Sequence, residues 1–205
     1  MLIVGFGCSI TVGDGIAPKD NWLSLLAKTY NCECINLALS GNSNHGIAQT
    51  FANFINYERH MYDNIKVVVG WTEVERMSWW NEDTFHWVHS GMIEGGYDKI
   101  YIQSYKEWLL HGQGDEASGN QALTDSSKLL VNSVCAAKNI PIVQFNSLGT
   151  HHTYHEYPNY YLPDKNTKDY LTKCDYIPND GHPNEQGHKK IADRLINFTK
   201  QYKIF

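Results

Sequence analysis

The chain has 205 residues, 42% of them apolar and 19% charged, with a formal net charge of −5. That size and balance fit one globular domain with a sizeable core and exclude a chain that is disordered over most of its length. Net acidity without clustered Lys and Arg argues against nucleic acid or an anionic membrane as a partner, and no run of about 18 apolar residues is present to form a transmembrane helix.

The N-terminus, Met1-Leu2-Ile3-Val4-Gly5-Phe6-Gly7, runs directly into a strand pattern. It lacks the basic start and long apolar stretch of a secretory leader, so a cytoplasmic location is expected. A compact leaderless start also suits a viral or phage protein. Leu2-Ile3-Val4 followed by glycines reads as a buried parallel strand opening into a tight turn. Asp20 is the expected cap of a helix over 21–29, with Trp22, Leu25 and Leu26 on one face. Residues 34–38 form the second strand pattern. Asn44 is the expected cap of a helix carrying Ile47, Phe51, Phe54 and Ile55 at helical spacing. The β-branched run 65–69 is the third strand. Residues 120–138 carry Leu123, Leu130, Val134 and Ala137 as a helical stripe. The last strand spans 140–145, where Pro141 implies either an edge strand or a first residue outside the ladder. A closing helix over 184–202 turns Ile191, Leu195 and Phe198 inward. This alternation predicts an α/β domain: a three-layer α/β/α sandwich around a flavodoxin-like parallel sheet, as a single domain over 1–205.

Two aromatic-rich insertions, at about 77–119 and 150–176, break the alternation. Each follows the C-terminal end of an expected strand, the edge where ligands bind in open parallel sheets. Both are expected to wall a pocket, with Trp71, Trp79 and Trp80 as candidate substrate-binding residues. Five cysteines (Cys8, Cys32, Cys34, Cys135 and Cys174) make an odd number without framework spacing, so reduced thiols are expected. Cys32-x-Cys34 lacks a second pair, and His151-His152-x-x-His155 lies among tyrosines and prolines. Neither is read as a metal site, and no cofactor is expected.

The chemistry centres on two turns. Gly7-Cys8-Ser9-Ile10-Thr11-Val12-Gly13 follows the first strand. A nucleophilic serine needs such a sharp strand-to-helix turn, which lifts its hydroxyl from the sheet and aims backbone N–H groups at a developing oxyanion. Near the other end, Asn179-Asp180-Gly181-His182-Pro183-Asn184 places a histidine in a loop before an amphipathic helix, with a carboxylate nearby to hold its tautomer.

These segments resemble the conserved blocks of the SGNH (GDSL-like) serine hydrolases. Gly7, Ser9, Thr11 and Gly13 match the first block, G-D-S-x-[ST]-x-G, with Cys8 where the family has Asp. Residues 36–41 (Asn-Leu-Ala-Leu-Ser-Gly) are similar to the second block, and His182-Pro183-Asn184 to the last. The third block, usually G-x-N-D, reads Gly70-Trp71-Thr72-Glu73. The resemblance implies an esterase. Ser9 is then the nucleophile and His182 the base. The family's acid position holds Asn179, so Asp180 takes the role in a shortened loop, or Asn179 orients the ring in a Ser-His dyad; Asp175 is a more remote candidate. The oxyanion hole comprises the N–H groups of Ser9 and Gly41, with Thr72, Asn42 or Asn44 as a third donor. A side-chain donor of this kind is typically worth roughly 3–4 kcal/mol of barrier, so Thr72 in place of Asn is a costly departure. The expected substrate is a small-molecule or carbohydrate ester, with carbohydrate O-acyl groups preferred because of the aromatic insertions. The alternatives are a non-catalytic ligand-binding or structural domain that keeps the fold, and an O-acyltransferase.

Overall fold

A computed structural model of the chain describes residues 1–81, 84–88, 103, 118–148 and 166–205. Four strands, β1 (Leu2–Phe6), β2 (Glu33–Asn36), β3 (Ile65–Trp71) and β6 (Ile142–Asn146), form a parallel sheet in the order β2-β1-β3-β6. The registers Val4↔Ile35, Val4↔Val67 and Val69↔Gln144 bring the C-terminal ends of these strands to one edge. Between β3 and β6 lies an antiparallel hairpin, β4 (Met77–Asn81) and β5 (Thr84–Val88), inside the first aromatic-rich insertion. The remainder of that insertion (apart from Gln103 and its last two residues) and 150–165 of the second lie outside the described residues, as do His151, His152 and His155.

Helices cover both faces of the sheet, so the three-layer arrangement is present. On one face, α2 (Trp22–Thr29) packs with α5 (Glu185–Gln201) over Ile3, Val68 and Val143. On the other, α3 (Asn44–Asn53) packs with α4 (Ser118–Ala137) over Val4, Val67 and Val69. Strand alternation explains this division, since successive side chains point to opposite faces. Phe6 anchors the second core with edge-on contacts to Phe51 and Phe54 at 5.5 and 5.9 Å. β6 is the end strand of the described sheet, and Pro141 precedes its ladder, its carbonyl accepting from Val67 N–H at 2.9 Å.

Three local expectations are corrected. The cap of α2 is Asn21, whose Oδ1 accepts from Leu23 N–H at 2.8 Å, not Asp20, which belongs to a preceding 3₁₀ turn. The cap of α3 is Ser43, which accepts from Gly46 N–H at 3.1 Å; Asn44 is the first helical residue. The stripe on α4 is out of phase: Leu123 and Leu130 are exposed, and the buried face carries Thr124, Ser127, Lys128, Val131, Asn132 and Cys135. Polar groups on this face are satisfied internally. Trp71 Nε1–H donates to Gln144 Oε1, and Gln144 Nε2 donates to Asn132 Oδ1, both at 2.8 Å. Such pairing is what makes burial of amides tolerable.

Candidate active site

The serine turn is built from the end of β1. Cys8 is extended (φ −104°, ψ −160°) and caps the short helix α1 (Ser9–Val12), so Ser9 stands at the first helical position beyond the strand. Gly7 cannot carry a side chain: a Cβ there would lie 2.1 Å from Thr11 Oγ1 and 3.0 Å from the Gly70 carbonyl. Gly13 closes the turn in the left-handed region (φ 84°), which glycine adopts without strain. Two asparagines then hold the end of α1. Asn21 Nδ2 donates to the carbonyls of Thr11 and Val12, each at 2.9 Å, and Asn36 Nδ2 donates to Thr11 at 2.7 Å. Neither positioning residue was expected; only their polarity beside apolar runs hinted at it. Cys8 is fully buried in the α2/α5 core, with Sγ 3.5 Å from Ser147 Oγ, so it serves packing where the resembled family has a carboxylate.

The histidine loop is a closed turn. Tyr176 and Pro183 form an antiparallel bridge, Ile177 N–H donates to the His182 carbonyl at 2.8 Å, and Asp180 N–H donates to Ile177 at 3.2 Å. Asn179 (φ 64°) and Gly181 (φ 82°) both take left-handed backbone. These two reversals bring the side chains of Asp180 and His182 together across a single intervening residue. Asp180 Oδ1 lies 2.7 Å from His182 Nδ1, so the ring's partner is the carboxylate and not the amide of Asn179. An Nδ1–H donated to the carboxylate leaves Nε2 as the acceptor for a proton from elsewhere. Asp175 is committed differently. Its Oδ2 accepts from Thr172 N–H and Oγ1 and from Lys190 Nζ at 2.6–2.7 Å, and the hydrogen bond from Lys190, then those from Thr172, hold its carboxyl down at about 2.

The structure brings Ser9, Gly41, Asp180 and His182 to one pocket of about 430 Å³ at the C-terminal edge of the sheet. Ser9 is 5% exposed, and no direct hydrogen bond joins it to His182. Gly41 turns with φ 75° after β2. The remaining oxyanion candidates are not in the pocket lining. Asn44 is spent on backbone: its Oδ1 accepts from Thr72 N–H at 2.8 Å, while Nδ2 donates to the Thr72 carbonyl at 3.0 Å and to Thr124 Oγ1 at 3.1 Å. Thr72 is itself fully buried under this clamp. Asn42 is buried too, its Oδ1 accepting from Ser78 Oγ at 3.2 Å. Trp71 is likewise corrected. It is fully buried on the same strand face as Val67 and Val69, inside the α3/α4 core, and does not line the pocket. Trp79 and Trp80 lie on β4, and their side chains are outside the described residues. A second cavity, of about 650 Å³, sits at the opposite end of β6 between Cys135, Pro141 and Tyr202, far from these groups in the fold.

No family model and no curated protein matches the sequence. Solved structures do. A psychrotrophic esterase from a Pseudoalteromonas species, captured with a monoethylphosphonate inhibitor, superimposes with a TM-score of 0.51 at 16% identity over 98% of each chain. A member of the lipolytic G-D-S-L family from Veillonella parvula covers 96% of this chain and 97% of its own, with 16% identity and a TM-score of 0.43. An SGNH-hydrolase family esterase named AlinE4 covers 98% and 95%, with 13% identity and a TM-score of 0.45. The chain has the SGNH hydrolase fold.

Proposed function

We propose that this protein is a serine hydrolase that cleaves carboxylic esters through an acyl-enzyme on Ser9. The observation that carries the reading is the 2.7 Å pair between Asp180 Oδ1 and His182 Nδ1, in a pocket shared with Ser9 and Gly41. The esterase whose fold the chain shares adds support.

In this scheme Ser9 Oγ attacks the ester carbonyl carbon while His182 Nε2 takes the hydroxyl proton. Asp180 fixes the ring tautomer and offsets the positive charge that the imidazolium acquires. The N–H groups of Ser9 and Gly41 stabilise the oxyanion. The bond to the leaving alcohol breaks as His182 returns the proton to that oxygen. Water then attacks the acyl-enzyme, giving its proton to His182, and the freed carboxylic acid departs as Ser9 regains its hydrogen. The reaction needs no cofactor. O-acyl groups on a carbohydrate are the substrate class we favour. The lining supports that choice, since Asp14, Ser40 and Glu73 offer carboxylate and hydroxyl groups suited to sugar hydroxyls.

Purified protein should react with a fluorophosphonate at Ser9, located by peptide mapping, and should hydrolyse p-nitrophenyl acetate and acetylated sugars. Ser9→Ala should abolish both without changing thermal unfolding, because the serine sits on a turn at the pocket. Turnover that persists at the wild-type rate in Ser9→Ala overturns the assignment.

A further inference from the structure

We propose that Arg76 is a catalytic residue, donating from its guanidinium to the carbonyl oxygen of the ester as that oxygen becomes an oxyanion on Ser9. The inference rests on the serine-hydrolase reading and supplies a side-chain donor within the pocket lining, which Asn42, although its Nδ2 has no partner, does not reach. The third-block position, where the resembled family has an amide, holds Thr72, which is sealed from the pocket. Asn44 is saturated by the Thr72 backbone and Thr124. Within the pocket, Ser40 Oγ already donates to Asp14, lying 2.9 and 2.7 Å from its two carboxylate oxygens. His182 Nδ1 is engaged by Asp180.

Arg76 is different. It lines the same pocket as Ser9 and Gly41. Its Nε–H donates to Glu73 Oε2 at 2.9 Å, and its side chain is only 10% exposed. The carboxylate therefore holds one edge of a planar guanidinium in a largely enclosed place. Both terminal NH₂ groups remain without a hydrogen-bond partner among the described residues. Arginine is always charged and presents its donors in a rigid fork. Charge-assisted donors of this kind are roughly twice as strong as neutral ones. A fixed donor aimed where negative charge develops lowers the barrier without reorganisation during the reaction. Arg76 is also the one cation among the described lining residues, beside Asp14, Glu73 and Asp180. This surplus of carboxylates opposes an anionic substrate. It therefore favours a role for Arg76 on charge created during the reaction over one on charge that the substrate brings.

The test compares wild type, Arg76→Lys and Arg76→Gln on p-nitrophenyl acetate, with a fluorophosphonate labelling rate for each. Arg76→Gln should lower kcat about 100-fold with KM within about twofold, and should slow phosphonylation of Ser9 in parallel, since that reaction also develops charge on oxygen. Arg76→Lys should recover part of kcat. Unfolding midpoints for the three proteins identify any loss caused by misfolding, and Arg76→Lys keeps the charge if Arg76→Gln does not fold. Wild-type labelling of Ser9 with an unchanged kcat in Arg76→Gln overturns the role of Arg76 alone. A raised KM at constant kcat overturns it too, and makes Arg76 a substrate anchor. A wild type that neither labels at Ser9 nor hydrolyses esters overturns the hydrolase reading and this inference with it.

Discussion

Two carboxylates five positions apart show how differently one short segment can use the same chemistry. Asp175 ends a 3₁₀ turn, is 1% exposed, and takes hydrogen bonds from Thr172 twice and from Lys190. All three donors, two on Thr172 in the same turn and one on Lys190 of α5, belong to the scaffold. Asp180, on the next turn, has a side chain that is 41% exposed, and it meets His182 at the pocket. A carboxylate whose partners all belong to the scaffold serves folding. One whose partner can still exchange a proton with a third group is open to catalysis. Variants of the two should therefore separate stability from turnover.

The largest effect is expected at Asp180. Asp180→Asn should lower kcat/KM for an aryl ester by between about tenfold and about 10⁴-fold, with an unchanged unfolding midpoint. Asp175→Asn should do the reverse, costing about 1–3 kcal/mol of stability through lost hydrogen bonds while leaving kcat near wild type. Steady-state kinetics and thermal melts on the same preparations read both. Near-wild-type turnover in Asp180→Asn would leave a Ser-His dyad as the better description.

Acid titration of stability sharpens the contrast. His188 is fully buried behind the histidine loop, where its Nδ1 accepts from Trp22 N–H at 3.3 Å. Burial first, and the nearby His182 second, push its pKa down to about 4. The folded protein keeps this ring neutral while the unfolded chain protonates it near its ordinary value of about 6.5. The unfolded state thus binds more protons between these values, and stability falls as pH drops from about 6.5 to about 4, by up to about 3 kcal/mol. His188→Gln should flatten that part of the profile. Asp175 acts in a lower window. Its depressed pKa of about 2 means that its stabilisation is complete above about pH 4 and is lost as pH falls toward 2, a step that Asp175→Asn should remove. Urea unfolding at intervals from pH 2 to 7 resolves the two windows. A wild-type profile that is flat between pH 4 and 6.5 would contradict the buried, neutral His188.

The smallest effect is expected at Gly15, which adopts φ 83° against the histidine loop. A Cβ there would lie 2.4 Å from Ile177 Cδ1 and 3.5 Å from Asp180 Oδ2. Gly15→Ala should cost about 1–2 kcal/mol from the left-handed backbone. It should also lower kcat a few-fold as Ile177 shifts the loop, which Asp180→Asn in the same background should make undetectable. Unaltered kinetics in the single variant would show that Asp180 is held independently of Gly15.

By itself the sequence determined what depends on neighbours along the chain. Apolar periodicity marked the parallel strands and most of the flanking helices, because a residue's face follows from a period of two or 3.6. Glycine and proline punctuation marked the Ser9 turn and the His182 loop, because few residues tolerate those backbone angles. Period-two alternation even held the answer for Trp71, which shares its strand face with Val67 and Val69 and is buried with them. Tertiary structure alone decided how distant polar groups were shared out. Asn44 is an open amide in the sequence, but α3 docks it against the end of β3, where Thr72 consumes both of its ends. The apolar stripe on α4 lost to a polar face because Asn132 could satisfy Gln144 across the interface, and a buried amide needs its partner more than an exposed leucine needs cover. Nothing along the chain marks Arg76, and only folding brings it into the pocket that Ser9 lines, with its Nε held by Glu73. Each hydrogen-bonding group has a limited number of partners, and which ones it meets depends on how elements far apart in the chain pack together.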